Sequence, residues 1–191
     1  MAQIIILLGE VWYNPARSSR MFQNIKLNGH YLSALDFQKK YPKTVIVRKN
    51  HLTELKKFIA NASPEPIVII YCGHGSINNW SIGINKQTLT EITRKNTNKI
   101  TIVSDCCFSD SMNITENRKN TTFISSARSR GEEQYLSAFF TFDGGYMSSI
   151  FYKEYNEHKN LKQLKKDILK HYYVDKDDDE HLPRFFTSML Q

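Results

Sequence analysis

The residues of this chain best suited to chemistry sit in two short segments, each at the end of an apolar run. The first, Ile67-Val-Ile-Ile-Tyr-Cys-Gly-His-Gly-Ser76, carries Cys72 and His74, with Gly73 and Gly75 on either side of the histidine. The second, Ile100-Thr-Ile-Val-Ser-Asp-Cys-Cys-Phe-Ser-Asp110, delivers Asp105, Cys106 and Cys107. A thiol attacks as its thiolate, and a neighbouring imidazole can hold the ion pair and later protonate a leaving amine. Gly75 leaves the backbone bare beside the histidine, so its N–H can face a developing oxyanion. If the chain is still extended at Asp105, side-chain alternation puts Asp105 and Cys107 on one side and Cys106 on the other. Cys106 is then a core residue, and Cys107 is the expected nucleophile. The same alternation points the adjacent thiols apart, and Cys72 with His74 is too tight a pair for usual zinc ligands, so no metal site is expected.

These side chains need elements to position them. Short β-branched runs predict strands at Gln3–Leu8, Thr44–Arg48, Pro66–Tyr71, Lys99–Ser104 and Thr122–Ser125. Between them, Leu27, Tyr31, Leu32, Leu35 and Phe37 suggest a helix from about Asn24 to Lys40. Leu52, Leu55, Phe58 and Ile59 suggest a second, closed by Pro64 and Pro66, and a shorter one covers Thr88 to Arg94. Alternating strands and helices imply an α/β architecture with a mostly parallel sheet. Buried parallel strands read as continuous apolar runs, and sites in such sheets gather beyond the strands' carboxyl ends. Ala127 to Phe142 reads as a long active-site loop. Two helices follow, carrying Met147, Ile150, Phe151 and Tyr155, then Leu161, Leu164, Ile168 and Leu169. Asp175 to Glu180 reads as a charged loop before a last strand at Arg184–Thr187.

A length of 191 residues suits one well-buried domain, and no repeat or linker divides it. The net charge of +7 raises the question of nucleic acid, but the lysines are dispersed, and the densest stretch, Lys159 to Lys170, reads as a solvated helix face. Three cysteines are too few for a disulfide framework. The run Ile4–Leu8 is too short for a signal peptide or membrane span. The expectation is a cytoplasmic protein that engages neither nucleic acid nor membrane.

Taken together, the segments resemble a known family. Tyr71-Cys-Gly-His-Gly-Ser76 resembles the Tyr-Ser-Gly-His-Gly-Ser motif of metacaspases, and Asp105-Cys-Cys-Phe-Ser-Asp110 resembles their Asp-x-Cys-His-Ser-Gly motif. Leu27-Asn-Gly-His30 with Ala34, Ile124-Ser-Ser-Ala127, and Leu182-Pro-Arg-Phe-Phe-Thr-Ser188 are weaker echoes. The resemblance implies a caspase-like α/β/α sandwich, with a large-subunit-like region at about 1–115 and a small-subunit-like region at about 120–191. It also implies a cysteine endopeptidase acting on protein or peptide substrates, as a monomer.

Carried over by position, His74 is the general acid/base and Cys107 the nucleophile. The Gly75 and Cys107 amides form the oxyanion hole. Asp105 is the acidic floor of a pocket for Arg or Lys before the cut bond, with Cys72, Ser125 and Ser126 lining it. Asp105 favours cations by charge complementarity, whereas Arg17 and Arg20 could instead hold an acidic side chain, as in caspases. Ser76 to Thr90 contains no acidic residue, unlike the corresponding segment of calcium-dependent metacaspases, which argues against calcium activation, and no cofactor is expected. Phe108 and Asp110 also depart from the motif. Self-cleavage, if it occurs, is expected at Arg118, Lys119, Arg128 or Arg130. The alternative is a catalytically inactive caspase homologue that binds a protease or its substrate as a decoy.

Overall fold

The computed structural model describes residues 1–9, 12–13, 25–26, 29–127, 140–141, 144–172 and 182–188. Its centre is a six-stranded sheet built from β1 (Gln3–Leu8), β2 (Val45–Val47), β3 (Ile67–Cys72), β4 (Ile100–Asp105), β5 (Thr121–Ser125) and β6 (Arg184–Thr187). The strand order is β6-β5-β4-β3-β1-β2. All neighbours are parallel except β6, which runs antiparallel to β5. Every residue of β3 is buried, as is every residue of β5, and this is the signature of strands covered on both faces.

The covering helices are α1 (Gly29–Lys40), α2 (His51–Ala60), α3 (Lys86–Arg94), α4 (Tyr146–Glu154) and α5 (Leu161–Leu169). Strand alternation sorts the core into two layers. Ile4, Ile6, Leu8, Val68, Ile70, Cys72, Val103 and Ile124 pack with Phe37 of α1, Ile150 and Phe151 of α4, and Ile168 of α5. Ile5, Leu7, Ile67, Ile69, Tyr71, Ile100, Ile102 and Phe123 pack with Leu55 of α2 and Leu89 of α3. The result is an α/β/α arrangement in three layers.

Local signals explain several boundaries. Asn85 Oδ1 accepts the Thr88 N–H at 2.8 Å and caps α3, and Asn160 Oδ1 does the same for Gln163 of α5 at 2.9 Å. The first helix is shorter than its pattern suggested. Ile25–Lys26 pairs with Trp12–Tyr13 as a small antiparallel ladder, and α1 begins at Gly29. Ala34 and Phe37 supply its buried face, while Leu32, expected on the apolar stripe, is 59% exposed. Of the expected active-site loop, only Ala127, Phe140 and Thr141 are described, and Arg17, Arg20, Arg128, Arg130 and the Asp175–Glu180 run lie outside the described residues. Among the described residues, no helix is long and apolar enough to cross a membrane.

Candidate functional site

The two chemistry-bearing segments meet at the carboxyl edge of the sheet. Strands β3 and β4 are neighbours, and their register ends on the pair Cys72 and Asp105. His74 and Cys107 each follow that pair by the same two-residue step. Adjacent strands lie about 4.8 Å apart, so the register brings the two backbones to the rim side by side. Gly75 seals the approach. A Cβ at this position would stand 2.5 Å from the Cys107 carbonyl oxygen and 2.6 Å from Cys106 Sγ. Only glycine allows the histidine segment to lie this close to the cysteine turn.

The histidine segment is held through its backbone. The Tyr71 hydroxyl and the Ser81 N–H both donate to the His74 carbonyl, the latter at 3.0 Å. The Gly73 N–H donates to the Asp105 carbonyl at 3.2 Å, tying the two strand ends together. A Cβ at Gly73 would meet the Tyr71 hydroxyl at 2.6 Å and Gly9 Cα at 3.0 Å, so this glycine makes room for the tyrosine to fold back. Beyond it, Gly75–Ser76 pairs with Asn79–Trp80 in a tight hairpin, and the His74 side chain stands exposed at the rim.

On the cysteine side, β4 gives way to a turn in which Phe108 adopts φ 53, ψ 28, followed by a 3-10 turn at Ser109–Met112. Cys107 is half-buried within it. The fully buried Ser109 fastens this turn to the end of β5. Its Oγ accepts the Ala127 N–H at 2.8 Å and donates to the Ala127 carbonyl at 3.1 Å, while the Asp110 N–H reaches the same carbonyl at 3.2 Å. Asp110 also faces Arg184 of β6 at 3.9 Å.

Cys106 lies across the sheet from Asp105, as alternation predicts. Cys106 is fully buried on the α2/α3 face, its Sγ 3.5 Å from Ser104 Oγ, and burial pushes its thiol up, away from reactivity. The Trp80 indole N–H donates to Ser104 Oγ at 2.9 Å, and Trp80 stacks on Tyr71 with ring centroids 4.7 Å apart. A continuous chain thus runs from the His74 carbonyl through Tyr71, Trp80 and Ser104 to Cys106. Sequence reasoning did not find this chain. The available signal was a tryptophan in the polar run Ser76-Ile-Asn-Asn-Trp80, since a buried indole needs an acceptor.

Asp105 lies on the opposite face with Cys72, and both are fully buried. Its Oδ2 accepts the Ser148 N–H at 2.7 Å, which caps the first turn of α4. Its Oδ1 makes no hydrogen bond of regular geometry to a described residue, and neither does the buried Tyr152 hydroxyl of α4. Burial pushes the Asp105 carboxyl up to about 6, against the lowering influence of Ser148 and Ser126. Ser126 therefore belongs to the Asp105 side. Ser125 does not: it pairs in register with Ser104, and register partners share a face, as Ile102 and Phe123 do on the α2/α3 side. The four expected lining residues are thus split, with Cys72, Asp105 and Ser126 on one face and Ser125 on the other.

Arg118, an expected cleavage point, is a buried staple. Its guanidinium donates to the carbonyls of Thr93, Asn96, Asn98 and Lys119 and to the Thr121 hydroxyl, at 2.7–3.1 Å. Only 6% of the residue is exposed, which withdraws it from any specificity pocket, whereas Lys119 remains exposed. No protein-family model matches the chain, and no curated protein matches it closely enough to count as a relative.

Proposed function

We propose that the chain is a cysteine endopeptidase of the metacaspase type with a caspase-like fold, in which Cys107 is the nucleophile and His74 the general acid/base. The observation that carries this reading is the shared register of β3 and β4. It sets His74 and Cys107 at equal steps beyond Cys72 and Asp105, with Gly75 packed against the cysteine turn. The Cys107 thiolate adds to the scissile carbonyl carbon, and the N–H groups of Gly75 and Cys107 receive the developing oxyanion. The imidazolium of His74 then protonates the leaving amine as the C–N bond breaks, giving a thioester. His74 next takes a proton from water, which attacks the thioester and releases the acid and the free thiol. Asp105 supplies negative charge beneath this site once it is ionised, and so favours arginine or lysine before the cut bond.

The test compares wild type with Cys107→Ala on peptides ending in Arg, Lys or Asp before a reporter group, with and without calcium. Cleavage of the Arg and Lys peptides by wild type alone is the expected result. Equal cleavage by both proteins removes Cys107 from the mechanism. Absence of cleavage by wild type on every peptide favours the inactive decoy, and cleavage confined to the Asp peptide rejects the role given to Asp105.

A further inference from the structure

The 3-10 turn after Cys107 carries a hydroxyl that this scheme does not use. Ser111 Oγ donates to the Phe108 carbonyl at 2.7 Å and accepts the Asn78 N–H at 2.7 Å. The Ser111 N–H donates to the same Phe108 carbonyl at 3.0 Å. One side chain therefore joins the residue following the nucleophile to the hairpin following the base, through a Ser111–Asn78 bond that spans 33 positions of sequence. Both joined residues sit in the left-handed region, Asn78 at φ 56 and Phe108 at φ 53. For a bulky residue such as phenylalanine this backbone is strained and persists only where the surroundings hold it. Ser109 holds the turn from the β5 side, whereas Ser111 reaches the histidine hairpin. Removing the Ser111 hydroxyl leaves the turn anchored at Ala127 and releases this tie to His74's own hairpin.

We propose that Ser111 is a positioning residue that fixes the Cys107 turn against the His74 hairpin and so sets the separation of thiol and imidazole. The proposal rests on the His74–Cys107 reading. Its test needs no substrate: the rate of Cys107 alkylation by iodoacetamide at pH 7, located by peptide mass mapping, in Ser111→Ala, His74→Ala and the double variant. A misplacement of about 1 Å can cost up to about a hundredfold, so Ser111→Ala is expected to slow alkylation tenfold or more. His74→Ala is expected to slow it as well, and the double variant no further than His74→Ala alone. The near-isosteric pair Ser111→Thr and Ser111→Val keeps the measurement decisive if the alanine variant folds poorly, since threonine should restore the rate and valine should not. On a cleaved peptide, Ser111→Ala should lower kcat with KM unchanged. An unaltered alkylation rate in Ser111→Ala and Ser111→Val, or an equal slowing with and without His74, overturns the proposal. If His74→Ala itself leaves alkylation unchanged, the pairing of thiol and imidazole is what has failed.

Discussion

The two faces of the sheet treat their polar groups differently at the carboxyl edge. On the α2/α3 face, Tyr71, Trp80 and Ser104 form a run of hydrogen bonds and stacked rings ending at Cys106, with the Ser125 hydroxyl the exception. On the α4 face, the Asp105 carboxyl and the Tyr152 hydroxyl are buried with hydrogen-bonding capacity left over. Buried polar groups are normally satisfied, because desolvation without a partner costs about 1–3 kcal/mol. The first face is therefore a scaffold that fixes the two rim turns. The second buries a carboxyl and a hydroxyl that are only partly satisfied, and stability is lower for it.

Substitutions on the two faces should separate these roles. The largest expected effect is Trp80→Ala, which empties a fully buried site and removes the indole donor from Ser104. A loss of about 3–5 kcal/mol is expected in denaturant unfolding, and a loss under 1 kcal/mol would remove Trp80 from the scaffold. Next comes Asp105→Asn, which retains an acceptor for the Ser148 N–H while removing the charge. The folded protein holds the Asp105 proton more tightly than the unfolded chain does. This stabilisation is therefore full below pH 4 and fades as pH rises through about 6. Wild type should lose about 3 kcal/mol relative to Asp105→Asn across that window, measured by unfolding at several pH values. Over the same window, wild-type cleavage of arginyl peptides should rise, and the asparagine variant should not follow. Parallel pH profiles for the two proteins would make the α4 face as inert as the other. The smallest effect is Cys106→Ala, with about 1 kcal/mol lost in stability and turnover kept within a factor of two.

Much of this was readable in the sequence because buried strands announce themselves as β-branched runs. The apolar runs mark Gln3–Leu8 and Arg184–Thr187 to the residue, and alternation sets Cys106 opposite Asp105. Parity at the end of β5 was not readable. Thr121-Thr-Phe-Ile-Ser-Ser126 is buried on both faces, so no polar–apolar alternation marks which serine turns toward Asp105. Only the register with β4 decides it. The Ser148 cap on Asp105 was equally hidden, since a backbone N–H carries no sequence signature. Leu27 and Tyr31 keep a helical spacing that predicts an earlier start for α1, and the Ile25–Lys26 pairing interrupts it.

The register of β3 with β4 also sets the order of events in biosynthesis. Parallel neighbours need a crossover, here the hairpin and α3 between Cys72 and Ile100, and closing such a loop precedes any gain from pairing. Neither motif can assemble the site from local contacts. A ribosome-bound chain that has emitted His74 but not β4 lacks the Cys107 turn beside its histidine hairpin, and one that has emitted Cys107 before docking holds that turn apart from the hairpin. If His74 and Cys107 act as proposed, competence to cleave arrives only with the sheet itself.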